Sequence, residues 1–208
     1  MINELIELFF HLDTHLAQFS LEYGLFIYVL LFMIIFIETG IVIMPFLPGD
    51  SLLFTAGALA ALGNLDISLL LILLTIAAIA GDSINYTLGR SFGSRFFTNS
   101  NSIIFNKNHL IKTQQFYEKH GSNTIIIARF IPIIRTFAPF VAGIANMHYP
   151  RFLLYNILGG ILWVFLFVIG GYLFGNIPLV KENFGFVILA IIIISLLPLI
   201  ISLLKNKG

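Results

Sequence analysis

The apolar positions of this chain fall in long runs separated by short polar stretches. A helix needs about 20 apolar residues to cross the hydrocarbon core of a bilayer. Four runs meet or approach that length. They are residues 21–37, flanked by Glu22 and Glu38; 67–88, with Asp82 and Asn85 near the end; 152–174; and 184–204. Each is read as a transmembrane helix. Two other apolar stretches resist that reading. Residues 39–62 are interrupted by Pro45, Pro48, Gly49 and Asp50, and residues 124–147 by Arg129, Pro132, Arg135 and Pro139. Each consists of two pieces too short to span, joined at a break. Broken backbone at membrane depth is tolerated only where protein or a water-filled cavity satisfies it. Both are therefore expected to be re-entrant hairpins that enter and leave on one side. The expected fold is all-α and polytopic, with about four transmembrane helices plus two facing re-entrant helical hairpins.

Composition supports this. Only 10% of the 208 residues are charged, 59% are hydrophobic, and mean hydropathy is +1.00. A soluble domain carries about 25% charged residues, so this chain has too few to cover a wetted surface. A net charge of +1 suggests no nucleic-acid partner, and the absence of cysteine excludes disulfides and thiolate chemistry. Lysine and arginine set orientation. Arg90, Arg95, Lys107, Lys112 and Lys119 make 90–120 a cytoplasmic loop, and Lys205 and Lys207 put the C-terminus on the same side. Counting spans back places the first hairpin outside and the N-terminus inside. Residues 1–20, with Glu4, Glu7, His11, Asp13 and His15, hold no Lys or Arg. They lack the basic region of a cleaved signal and are read as an amphipathic cytoplasmic segment ahead of one membrane domain, 21–205.

The two halves resemble each other. Phe54, Ala56 and Gly57 match Phe140, Ala142 and Gly143, while Tyr86 and Gly89 match Tyr172 and Gly175. Every pair is separated by 86 residues (140 − 54, 143 − 57, 172 − 86 and 175 − 89). Asp50 falls on Thr136 at the same offset. One span and one hairpin separate the two F-x-A-G copies, so the copies should run in opposite senses. Inverted repeats with discontinuous helices are a transporter signature.

Glu38, Asp50, Arg129 and Arg135 lie in or beside the broken stretches. One charge at the bilayer centre costs about 2.5–3.5 kcal/mol on insertion scales. The two acids and two arginines must therefore pair, line a wet cavity, or lie near the interface. Asp50, after Pro48 and Gly49 and before Ser51, is placed to cap a helix starting there, a role compatible with substrate work. Glu38 can alternatively end the first span at the interface, and the arginines can be structural counter-ions. Arginine grips phosphate through a bidentate fork, and a helix N-terminus adds backbone donors for an anion. Thr136 and Pro139 suggest a helix beginning just after Arg135. Low dielectric disfavours the charged form of a carboxylate, which makes Glu38 and Asp50 candidate proton carriers. Asp82 and Arg90 read as a structural pair, Asn85 and Tyr86 as interhelical contacts, and Arg151 as an interfacial cation. His11 and His15 have the spacing of a metal pair without a third ligand. No nucleophile–base set, Walker A loop or nucleotide fingerprint is present, so neither an enzyme nor a cofactor is expected.

Three stretches resemble the DedA family (the SNARE-associated, or VTT-domain, superfamily): E-T-G-I-V-I-M-P-F-L-P-G-D-S-L-L-F-T-A-G at 38–57, G-D-S-I-N-Y-T-L-G-R at 81–90, and R-F-I-P-I-I-R-T-F-A-P-F-V-A-G at 129–143. The likeness extends over most of residues 20–205. It implies residence in the bacterial inner membrane and a part in returning undecaprenyl phosphate across the bilayer for envelope synthesis. It also implies a link to the proton motive force, cell division and envelope integrity. Eukaryotic relatives are phospholipid scramblases. The acid pair and arginine pair required in the family match Glu38, Asp50, Arg129 and Arg135. Ile133 stands where many members have glycine. The expectation is a proton-linked flippase for an anionic polyprenyl-phosphate lipid. Arg129 and Arg135 would take the head group and Glu38 and Asp50 the proton, supported by Pro48, Gly49, Ser51, Thr136 and Pro139. A proton-coupled cation or drug antiporter and a non-transporting envelope scaffold are the alternatives. A second copy of the chain is a candidate partner.

Overall fold

The computed structural model describes residues 12–41, 49–96, 107–182 and 187. Among them the regular structure is helical: α1 (Leu12–Gly40), α2 (Gly49–Ala61), α3 (Ile67–Phe96), α4 (Lys107–His120), a 3-10 turn (Gly121–Asn123), α5 (Thr124–Ala128), α6 (Pro132–Ile144), α7 (Tyr149–Gly175) and α8 (Pro178–Glu182). Among the described residues two helices are long and apolar enough to cross a membrane, Ile67–Ser91 within α3 and all of α7. A shorter apolar piece of α1, Gly24–Gly40, adds to them. Their burial is periodic. On α7, Phe152, Asn156, Gly159, Trp163 and Val168 face inward at spacings of three to five residues. Leu154, Leu158, Leu162 and Leu166 are exposed. A leucine row of that length suits lipid rather than water, and the chain is a membrane protein with transmembrane helices.

The expected spans 67–88 and 152–174 lie inside α3 and α7. The span 21–37 lies inside α1, which passes through residue 20 without a break. The span 184–204, apart from Val187, lies outside the described residues, as do Pro45, Pro48, His11 and the C-terminal lysines. The stretch read as a loop, 90–120, is partly helical, because α3 continues to Phe96 and α4 begins at Lys107.

The described residues form two compact units. The first takes in those up to Leu31, from Gly49 to Leu73, and from Phe165 onward. Here α2 meets the C-terminal part of α7 with almost no side chain between. A Cβ on Gly57 would overlap the Val168 carbonyl, and one on Gly171 the Phe54 carbonyl. Ala58 and Val180 are buried together with Leu59 and Leu62 packed on them. The helix ends in a Schellman cap. Gly63 has φ +80, its N–H donates to the Ala60 carbonyl at 3.0 Å, and the Asn64 N–H donates to Leu59 at 3.3 Å. Tyr28 Oη accepts from the Asp66 N–H at 2.6 Å.

The second unit takes in Phe32–Ile41 and Leu74–Val164 among the described residues. Here α6 meets α3 in the same way. A Cβ on Gly143 would overlap the Tyr86 carbonyl, and one on Gly89 the Phe140 carbonyl. The cap is also of the same type, with Asn146 at φ 51, its N–H on Gly143 and the Met147 N–H on Ala142, both at 3.0 Å. Polar α4 lies against α6. Tyr117 packs on Phe137, Phe140 and Val141 and donates from its hydroxyl to the Ala138 carbonyl at 2.9 Å. Tyr86, Ile125, Ala142 and Phe152 complete this core.

The contacts do not all follow the offset of 86. Gly57 and Gly143 are equivalent at the offset of 86. The glycine that meets Phe54 as Gly89 meets Phe140 is Gly171, however, not Gly175, and that offset is 82 (171 − 89). Gly175 instead approaches Ala58. The slip of four residues accumulates between the matched pieces. The caps Gly63 and Asn146 are 83 apart, and the helix starts Ile67 and Tyr149 are 82 apart. The Y-x-x-G letters and the close contacts thus stand one helical turn apart.

Candidate functional site

Each of the two arginines is aimed by a break in the chain. α5 ends at Arg129 in a tight turn: the Phe130 N–H donates to Ile127 at 3.1 Å and the Ile131 N–H to Ala128 at 2.9 Å. Ile131 is then extended (φ −121, ψ 103), as a residue before proline prefers. Pro132 starts α6 with the φ a first helical turn needs and no N–H to satisfy. The helix thus begins before Arg135, not just after it as expected. Arg135 completes the first turn by donating its N–H to Ile131 at 2.8 Å, which leaves Thr136 and Pro139 inside α6. In an unbroken helix, residues six apart point about 120° away from each other. With the break, both guanidiniums come to one ring. The carbons at their centres lie 5.8 Å (Arg129) and 5.2 Å (Arg135) from the centroid of Trp163 on α7.

Both arginines are buried, 2% and 7% exposed, and each meets a carboxylate. Arg135 pairs with Glu38 in the last turn of α1. Arg129 pairs with Asp82 on α3, Nη2 to Oδ2 at 2.5 Å. This corrects the pairing of Asp82 with Arg90, whose side chain is exposed. The same Nη2 donates to Asn156 Oδ1 at 2.5 Å, and Asn156 Nδ2 is tied to the Ile79 carbonyl at 3.0 Å. Arg129 Nε and Nη1 are buried with no hydrogen-bond partner. Glycines give the arginine its space. A Cβ on Gly159 would stand 3.2 Å from both Cδ and Nε of Arg129.

Asn85 fastens the frame. Its Nδ2 donates to the Thr39 carbonyl at 3.1 Å, at the end of α1, and to the Thr136 carbonyl at 3.0 Å. The Tyr86 hydroxyl donates to the Met147 carbonyl. Both residues therefore bond between helices, as expected. Gly40 and Gly81 let α1 and α3 approach closely. Pro139, without an N–H, leaves the Arg135 carbonyl outside the helical ladder.

The cluster thus brings together Glu38, Arg129, Arg135 and Thr136, with Pro139 in the same helix as the last two. Asp50 belongs to the other compact unit. It sits half-buried in the first turn of α2, one residue inside the helix, where its charge suits the helix dipole. Gly49 is buried and Ser51 half-buried beside it. Sequence reasoning missed three members: Asp82 as the acid of Arg129, Asn156, and Trp163. The chain's single tryptophan, three residues after the Gly159-Gly160 pair, was the available signal for the last.

The VTT domain family matches residues 47–173. Protein DedA of Escherichia coli (strain K12) is 53% identical over 209 residues, covering 100% of this chain and 95% of that protein. An uncharacterised membrane protein of Mycobacterium leprae is 46% identical over 169 residues, 81% of this chain and 76% of its own length. Inner membrane protein YqjA of E. coli K12 is 34% identical over 152 residues, 73% and 69% of the two chains. No solved structure matches.

Proposed function

The chain belongs to the DedA family of VTT-domain membrane proteins, and from that premise we propose that it carries an acidic lipid head group through the bilayer. The substrate is an undecaprenyl-phosphate-type lipid returned across the bacterial inner membrane, with proton movement linked to it. The observation that carries this reading is the state of Arg129. A buried polar group left without a partner costs about 1–3 kcal/mol, more for a charged one, yet two donors of this guanidinium stay unpaired at 2% exposure. A phosphate oxygen accepting from Nη1 would make a strong, charge-assisted hydrogen bond. The Trp163 ring fixes both guanidiniums nearby without consuming their N–H groups. Glu38, already on Arg135, and Asp50, on α2, are proposed as proton-binding acids. The apolar tail needs no protein path, since it stays in lipid while the head crosses.

We infer further that the two broken stretches are re-entrant, that the remaining spans number about four, and that both termini face the cytoplasm. With no native cysteine, single cysteines can be labelled from either side to test this.

The test of function uses purified protein in liposomes. The leaflet exchange of labelled undecaprenyl phosphate is followed with and without a pH gradient, for wild type, Arg129→Gln and Arg135→Ala. Wild type should accelerate exchange in a gradient-sensitive way, and either variant should lose most of the gain. Gradient-insensitive exchange would make the protein a scramblase. Unchanged exchange in both variants would remove the arginines from the role given them.

A further inference from the structure

The four charges around Trp163 cancel: Glu38 and Asp82 against Arg129 and Arg135. An anion entering this buried cluster leaves it negative unless a carboxylate is neutralised, and an uncompensated charge away from water is strongly disfavoured. We propose that Asp82 is the carboxylate that takes up a proton as a phosphate-type anion takes its place on Arg129, so that one proton accompanies each negative charge bound. The inference rests on the anion-site reading above, assigns the proton that accompanies anion binding to Asp82 in place of Glu38 and Asp50, and adds the stoichiometry.

Three features single out Asp82. First, it holds Arg129 through Nη2 alone, which leaves Nη1 to an incoming anion. Second, Asn156 shares that same nitrogen and is itself anchored to Ile79 and Ser83. The guanidinium therefore stays in place when Asp82 loses its charge. Third, Gly159 lets α7 lie against Arg129 with no side chain between them, since a Cβ there would stand 3.2 Å from Nε.

The other ionisable groups near Asp82 are few. Arg135 acts on it from α6, and Tyr117 from α4 feels its charge. Glu38 on α1 is engaged by Arg135. From α7 the facing group is the neutral Asn156, and on α3 itself Arg90 points outward. The step balances. The Asp82 carboxylate binds a proton, its ion pair with Arg129 becomes a hydrogen bond to an uncharged carboxyl, and the anion accepts from Nη1. The cluster's net charge is zero before and after, and the proton leaves when the anion does.

The test uses the full chain in phosphatidylcholine nanodiscs. The probe is dibutyl phosphate, a diester whose single charge is constant across the neutral range. Trp163 fluorescence reports binding, because this sole tryptophan touches both arginines. Wild type should take up about one proton per anion, and its affinity should fall about tenfold per pH unit on the alkaline side, as linkage to one proton requires. Asp82→Asn should still bind, with the pH slope and the proton uptake both lost; Asp82→Glu should restore them. An Asn variant that keeps the slope, or that loses binding at every pH, overturns the proposal. If Asp82→Asn does not fold, infrared spectra of the wild type decide: a protonated-carboxyl band must rise on anion addition, and its absence overturns the proposal. Wild-type binding without proton uptake removes the role of Asp82 and leaves the anion site standing. No wild-type binding at all removes both.

Discussion

Trp163 is a fully buried ring with two guanidiniums about it. A desolvated cation–π contact is worth up to about 2 kcal/mol, a factor of roughly 30 in an equilibrium, and here two cations lean on one ring. Those contacts are also what lets two like charges share a dry site without turning all their N–H groups to the protein. Replacing Trp163 with Leu should therefore slow lipid translocation at least about tenfold. Phe keeps a π face and should retain more of the rate. Removing an indole from a core also costs about 3–5 kcal/mol when nothing fills the space. The comparison must be made per folded molecule, with folded protein quantified by size-exclusion chromatography. Equal losses for Leu and Phe would reduce the ring to a space-filler.

At the scale of the helix, the glycines decide what can lie against what. Gly89 and Gly143 bring α3 and α6 into backbone contact, and Gly57 and Gly171 do the same for α2 and α7. A methyl group at Gly89 has to displace the Phe140 main chain, which is not the movable end of a side chain. Gly89→Ala should cost about 1–3 kcal/mol as overpacking and lower the melting temperature in detergent. Gly24→Ala is the control, since nothing lies within 4 Å of its added Cβ. If both melt alike, close approach is not what Gly89 provides. These elements were largely legible beforehand, because the apolar runs named α3 and α7 and the prolines named the break before α6. Less legible was where that break ended. Pro132 starts the helix, and a reading that weighted Thr136 as a cap placed the start four residues too late. The repeat was legible as letters but not as contacts, since a turn's difference between the halves leaves a tyrosine–glycine match in the wrong register. The partner of Arg129 was hidden for a simpler reason. Asp82 stood eight residues from Arg90 and 47 from Arg129, and only the close approaches through Gly81, Gly89 and Gly159 make the distant arginine the nearer one.

Across the molecule, neither half of the sequence builds a unit by itself. The F-x-A-G helix of the first half, α2, finds its backbone partner in α7 of the second, and the F-x-A-G helix of the second, α6, finds its partner in α3 of the first. The ion pairs cross in the same sense, Glu38 and Asp82 from the first half to Arg135 and Arg129 from the second. A half expressed alone would leave Glu38 and Asp82, or the two arginines, without the charges that neutralise them. An unpaired buried charge is among the most destabilising features a fold can carry, at about 3–5 kcal/mol when one partner of a pair is removed. Cutting the chain between α3 and α4 removes no contact of this kind, because each pairs a residue before the cut with one after it. Residues 1–101 and 102–208 produced together should thus accumulate in the membrane and co-purify. Either fragment alone should be degraded, as read by immunoblot against a tag on each. The double variant Glu38→Gln with Asp82→Asn in the first fragment should weaken the rescue of the second. If each fragment is stable in the absence of the other, the exchange of partners between halves is not what holds each unit together.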